Sequence, residues 1–162
     1  MTAPTLPTPG GDIGTWGIEL NAWLNERDTK LTNMRAGVAY LLDYVTPSDD
    51  ATANRVGIQQ LLDNMAGDQA TLIIPPRYDA GTPDPIVLDS NGVDPWCLDV
   101  PSGVTIEGAG AGSSLKVADD LPNFHGRIFR VVGKENVTIR NLRLDGNKAG
   151  NNPAHDQSHN II

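Results

Sequence analysis

The chain predicts a mainly β fold: the opening coils of a parallel β-helix behind a capping helix, preceded by an extended arm and a helical segment. Three observations carry this. One helical pattern occupies residues 50–66, a train of short β-rich runs follows it with no second helical pattern between them, and two of those runs echo each other at a spacing of 33 positions (GVTIEGAG from Gly103, NVTIRNLRLDG from Asn136).

The helix is read from its punctuation. Asp49 and Asp50 stand ahead of Ile58, Leu61, Leu62 and Met65, which fall at i, i+3, i+4 and i+7 on one face, and Gly67 follows as a stop. An Asp at the start accepts the free N–H groups of the first turn. The β-rich runs are TLII (71–74), IVL (86–88), WCLDV (96–100), VTIE (104–107), SLKV (114–117), IFRVV (128–132), VTIRNLRL (137–144) and NII (160–162), split by Pro, Gly, Asn and Asp. Each is too short for a buried helix, and its bounding residues favour turns.

One helix followed by many short strands suits a solenoid better than a βαβ sheet, which needs a helix between strands. A spacing of 33 is long for a bare coil, and the polar stretch DDLPNFHG (119–126) is read as the loop that supplies the excess. Each coil leaves its apolar face open until the next one stacks on it, so such a fold needs several repeats and a cap. The helix at 50–66 is the expected cap. No matching cap is visible at Ile162, so the chain is expected to be one end of something larger.

Ahead of the cap the organisation changes. Residues 1–19 form an arm in which Pro4, Pro7 and Pro9 hold the backbone extended while Gly10, Gly11 and Gly14 contribute no side chain. Such an arm cannot pack a core and is expected to be ordered by a partner or not at all, with Trp16 as its natural anchor; the alternative is a floppy tail whose Trp folds back on its own domain. Residues 20–46 carry a heptad signal: Leu24, Leu31, Val38 and Val45 at position a, and Leu20, Arg27, Met34 and Leu41 at d, broken only by Arg27. Against a coiled coil stand Gly37, which weakens a helix by roughly 1 kcal/mol, and Lys30 with Arg35, like charges across a g-to-e contact. The alternative is an amphipathic helix lying on a neighbouring protein or on the cap. Residues 47–162 hold the cap and the first coils.

Composition narrows the function. The 162 residues include 12 Lys and Arg against 20 Asp and Glu, a net charge of −8, with no basic run to follow a phosphate backbone, which argues against nucleic-acid binding. A single cysteine, Cys97, excludes an intrachain disulfide and a cysteine-rich metal site, and its place in WCLDV marks it as a packing thiol. No apolar run approaches the ~20 residues that span a bilayer, and no basic-plus-apolar leader opens the chain.

Three constellations invite a catalytic reading and none sustains it. GAGAG (108–112) lacks the dinucleotide-loop spacing and precedes a strand pattern, so it is read as a tight turn between coils. In HDQSH, His155 and His159 lie at i and i+4, but Asp156 replaces the expected Glu and the flanks read as loop into strand. Asp89, Asp94, Asp99, Asp119, Asp120 and Asp145 are scattered along turns, whereas glycoside hydrolysis needs two carboxyls roughly 5 to 9.5 Å apart. Asp145, in LDGN, is the best placed of them, and Asp before Gly is also ordinary turn chemistry. No catalytic residue, metal ligand or cofactor is assigned.

Two resemblances complete the reading. DDATANRVGIQQLLDNMAGDQATLIIPPRYDAG, VPSGVTIEGAGAGSSLKV and NVTIRNLRLDGN, within 49–147, resemble the opening of pectate-lyase-like right-handed parallel β-helix proteins, a group that includes phage tailspikes. LPTPGGDIGTWGIELNAWL (6–24) resembles the N-terminal attachment stretch of phage tail fibres, tailspikes and baseplate proteins, and departs from it after Trp23 into NERDTKLTNMRAG. Together they imply a structural virion protein, made in the host cytoplasm and carried on the tail. Pro7, Pro9, Gly10, Gly11, Asp12, Thr15, Trp16 and Gly17 are the expected tail-docking residues. Leu20, Leu24, Leu31, Met34, Val38, Leu41 and Val45 are the expected seam of a homotrimer, since tailspikes of this group are trimers. A host-surface glycan or receptor would be bound further along the complete protein. The rival expectations are the N-terminal part of a polysaccharide lyase or glycoside hydrolase, and a secreted non-viral adhesin; fold alone does not choose among them.

Overall fold

Parallel strands in register, stacked in tiers and capped at one end by a helix, make up the computed structural model, which describes residues 37–90, 94–121 and 127–151. In chain order these are β1 (Val38–Tyr40), α1 (Leu41–Tyr44), α2 (Ala51–Asn64), β2 (Thr71–Ile74), β3 (Tyr78–Asp79), β4 (Thr82–Pro83), β5 (Ile86–Leu88), β6 (Trp96–Asp99), β7 (Thr105–Val117), β8 (Arg127–Arg130) and β9 (Thr138–Asp145). The fold is mainly β, and apart from the β3–β4 hairpin every strand pair is parallel. Among the described residues the sheets do not close on themselves.

The pairing forms three ladders. In the first, Val38, Thr71, Thr105 and Thr138 stand in register, so successive tiers are 33, 34 and 33 residues apart. The echo between Val104 and Val137 in the sequence is this register. In the second, Ile86, Leu115 and Leu144 align at spacings of 29. In the third, Leu98 pairs with Phe129 at a spacing of 31. Inward positions of the first ladder, Ala39, Leu72 and Ile106, are buried, as are Ile86 and Leu115 of the second and Leu98 and Phe129 of the third. Alternation places one face of each strand in the core, and stacking makes that core continuous.

The differing spacings locate the extra residues. Against β9, β7 carries register shifts on both sides of Gly110, which lower the spacing from 33 to 29. GAGAG is therefore not a turn between separate strands but an irregular corner inside one 13-residue strand. Each glycine has its own reason. A Cβ on Gly108 would overlap the carbonyl oxygen of Asn141 and lie 2.7 Å from Cβ of Ser113; one on Gly112 would meet Pro76 Cβ at 2.9 Å and the ring of Tyr78; and Gly110 has φ +94°. The polar loop after β7 restores only two residues, from 29 to 31, so the corner and not DDLPNFHG accounts for the difference between ladders. The tier above turns the same corner with the β3–β4 hairpin, held by Arg77–Asp84 at 2.6 Å.

Ahead of the first ladder the backbone turns left-handed at equivalent positions. Gln69, Gly103 and Asn136, each two residues before an aligned threonine, have φ of 54°, 78° and 56°. A Cβ on Gly103 would lie 3.4 Å from the side-chain nitrogen of Gln69, so one turn rests on the next.

The helix forms as its punctuation predicts. Asp50 caps it by accepting from the N–H groups of Thr52 (2.9 Å) and Ala53 (3.0 Å), and Ile58, Leu61, Leu62 and Met65 are buried. It lies against β5 and β6.

The expected helical segment is corrected at its C-terminal end. Val38 belongs to a strand that pairs with β2, not to a helix, because Gly37 at φ +73° turns the chain into the first ladder. The helical turn of α1 is only four residues long, and its Leu41, like the following Val45, is buried in the core of its own chain. These three residues are not a free seam. Leu20, Leu24, Leu31 and Met34, the whole arm with Pro7, Pro9, Gly10, Gly11, Asp12, Thr15, Trp16 and Gly17, and His155 and His159 lie outside the described residues.

A direct check follows from the corner. Gly108→Ala is expected to destabilise the fold by about 1–3 kcal/mol, as overpacking against backbone does. Replacing Gly67, where a Cβ meets nothing within 4 Å, should cost only its left-handed backbone, about 1 kcal/mol. Urea unfolding of both variants measures the difference.

Candidate interaction surface at the capped end

The upper edges of β5 and β6 have no strand above them among the described residues; side chains of α2 take that place. Asn54, buried at 1% exposure, donates from Nδ2 to the carbonyl oxygens of Val87 (3.0 Å) and Ser48 (2.8 Å), while its Oδ1 accepts from the N–H of Ser48 (2.9 Å). Gln59 accepts from the N–H of Asp99 (2.9 Å) and donates to its carbonyl oxygen (3.0 Å). Its amide thus mimics a neighbouring strand, and it removes an edge that would otherwise invite pairing. Arg55 and Thr52 add a charged clamp on Asp89, at 2.7 and 2.6 Å. Asn54 had a signal in the sequence: it is a polar residue at i−4 on the stripe that begins with Ile58. Gln59 had none, since its position on the helix reads as solvent-facing.

Along the other flank of α2, two small clefts open on either side of Asn64. One is lined by Val38, Ala39, Met65, Asp68 and Ala70, the other by Tyr44, Gly57, Gln60 and Leu61. Leu42 and Val56 on the same two helices are 47% and 39% exposed, and Tyr40 of β1 is 49% exposed. Asp43, Asp63 and Asp68 are exposed at this end. Burial, and then the Asp43 carboxylate, push the Tyr44 phenol above its ordinary value of 10.0. The clefts mix apolar side chains with Gln60, Asn64 and Asp68.

Four of the six scattered acids bond within the fold. Asp89 is held by Arg55; Asp99 accepts from Trp96 Nε1 (3.2 Å) and Arg130 (3.1 Å), with Arg130 also 4.5 Å from the Trp96 ring centroid; Asp119 accepts from Asn147; and Asp145 accepts from the N–H of Asn147 (2.8 Å). Among the described residues, no group of three or more His, Cys, Asp or Glu is placed to hold a metal ion. Asn147 and Asn151 serve the backbone, donating to the carbonyl oxygens of Val117 (3.0 Å) and Ala118 (2.7 Å) in the tier above. On the outer face of the first ladder, Arg140 donates to Glu107 at 2.7 Å and Asn141 at 3.3 Å. The bond from Arg140 is the main reason the Glu107 carboxyl is held below its ordinary value of 4.5. Carboxylates arranged in this way can clamp tiers together.

Cys97 is 5% exposed, with burial first and the Asp89 carboxylate second pushing its thiol up to about 12, against the opposing pull of Arg55. A thiol in that state is inert.

No family model, curated protein or solved structure matches the chain.

Two outcomes test these assignments. Cys97 should stay unmodified by iodoacetamide at pH 8 in the folded protein and react once urea unfolds it, as intact mass will show. Because the folded Glu107 titrates below its unfolded value, its bond to Arg140 contributes stability above about pH 4.5, and that contribution is lost as the pH falls through the lowered value. Arg140→Ala should accordingly return the Glu107 carboxyl resonance to an ordinary titration in an NMR pH series.

Proposed function

We propose that this chain is the tail-proximal part of a phage tail fibre or tailspike, a structural virion protein built on a right-handed parallel β-helix. The observation that carries the proposal is the first ladder, whose four tiers stack in register at 33, 34 and 33 residues behind a helix that covers one end. Stacked parallel tiers with a cap are what a β-helix requires at its N-terminal side. The attachment-like stretch at 6–24 precedes that same end, so the capped end faces the tail. At the other end β9 pairs on one side only among the described residues, with Val137, Ile139, Leu142 and Leu144 only partly covered. Further coils there would continue the solenoid and carry the contact with a host-surface glycan or receptor.

The enzymatic alternative would have to place its carboxylates elsewhere than at Asp89, Asp99, Asp119 and Asp145, which bond to backbone and side chains of the fold. A homotrimer stays within the proposal, though not through Val38, Leu41 and Val45. The remaining seam of Leu20, Leu24, Leu31 and Met34 covers about two heptads, short of the 3–4 that sustain a coiled coil, so a trimer would need contacts on the ladders' outer faces or on further coils.

Deleting residues 6–23 should leave a folded product that no longer co-purifies with phage tails. Retention of the deleted protein on tails would remove the docking role of the arm.

A further inference from the structure

The basic side chains of the described residues are gathered in their last tier. Residues 127–151 hold six Lys and Arg against two Asp and Glu, while the other described residues hold three against thirteen. This tier consists of β8, β9 and the loops that follow them, stacked beneath β6 and β7. The stack is therefore acidic at its capped end and basic at the other, a polarity that the net charge of −8 conceals. We infer that the last tier is a binding belt for a linear polysaccharide that carries anionic groups. The inference deepens the tail reading and rests on it for the direction in which the belt faces.

Placement, exposure and free donors argue for that partner. Arg127 and Arg130 lie on β8 in the third ladder, Arg140 on β9 in the first and Arg143 on β9 in the second, with Lys134 and Lys148 in the loops. Lys134, Arg143 and Lys148 are exposed, and no described acid pairs with them. Arg130 and Arg140 each bond one acid of the tier above, yet their side chains stay 41% and 57% exposed, and a guanidinium carries five N–H donors. The cations thus run around the tier instead of along one face. Acids on the tiers above repel an anionic chain and steer it to the basic end. A DNA duplex, stiff over about 150 base pairs, would touch one face of the belt and meet those acids. A single nucleic-acid strand is held by bases stacked on aromatic rings, and the ring of Trp96 beside the belt already carries Arg130. A flexible sugar chain needs neither a long straight face nor a free ring.

The test measures retention of the full chain at low salt on immobilised carboxymethyl-dextran, on uncharged dextran, and on single-stranded and duplex DNA. The expected result is retention on carboxymethyl-dextran, none on dextran, weaker retention on either DNA, and release as salt screens the charges. Two triple variants of equal net charge locate the surface, each shown to be folded by its thermal unfolding. Lys134→Gln with Arg143→Gln and Lys148→Gln should lower retention about tenfold or more. Leu42→Glu with Val56→Glu and Gln60→Glu, all exposed at the capped end, should leave it within about twofold. No retention of the unaltered chain, equal loss in the two variants, or retention on DNA as strong as on carboxymethyl-dextran would overturn the inference. Co-purification with tails is a separate readout, so failure to bind carboxymethyl-dextran leaves the tail reading standing. Conversely, an arm-deleted chain that stays on tails would count against that reading and not against the binding.

Discussion

Every tier of parallel strands here depends on having its edge satisfied, and two side-chain amides of one helix do so for β5 and β6. Asn54 and Gln59 bond the main chain at Val87 and Asp99 as a neighbouring strand would. Without them the second and third ladders would present bare N–H and C=O groups at the end of the stack, a costly and aggregation-prone arrangement. The first ladder is closed by other means. There the short strand β1 supplies the pairing that α2 supplies elsewhere, so the capped end is half helix and half strand.

Once the top tier is set, register propagates downward through small devices repeated at equivalent places. Left-handed residues at Gln69, Gly103 and Asn136 turn the chain into each new strand of the first ladder. Asn147 and Asn151 then tie the loop after β9 to the loop after β7. The corner between the first and second ladders tolerates variation in length, as a hairpin in one tier and GAGAG in the next. Its glycines answer to close approach, of the Asn141 carbonyl at Gly108 and of the Pro76 and Tyr78 side chains at Gly112, and to a left-handed backbone at Gly110. These features explain how a chain with few aromatic residues and 17 glycines still builds a continuous core.

The same geometry bears on function. Four of the six acids that the sequence scatters along turns are engaged within the fold: Asp89 with Arg55, Asp99 with Arg130 and Trp96, Asp119 and Asp145 with Asn147. Exposed apolar side chains are found at the capped end, at Tyr40, Leu42 and Val56, and also away from it, at Tyr78 and Val132.

Much of the fold was legible because its signals are local. The capping Asp50, the stripe Ile58, Leu61, Leu62 and Met65, and the boundaries of β2 and β5 follow from short-range periodicity and punctuation. The 33-residue echo was legible too, since stacked tiers repeat their sequence. Three things were decided only by tertiary structure. Gly37 to Val45 satisfies a heptad pattern and yet becomes strand and core, because β2 offers Val38 a row of backbone partners that helix propensity cannot outweigh. GAGAG became a corner within one strand because the tiers above and below it approach too closely for any Cβ at Gly108 or Gly112. Gln59 became a strand surrogate because the helix lies across an open edge, a relation between residues 40 positions apart that no local pattern records.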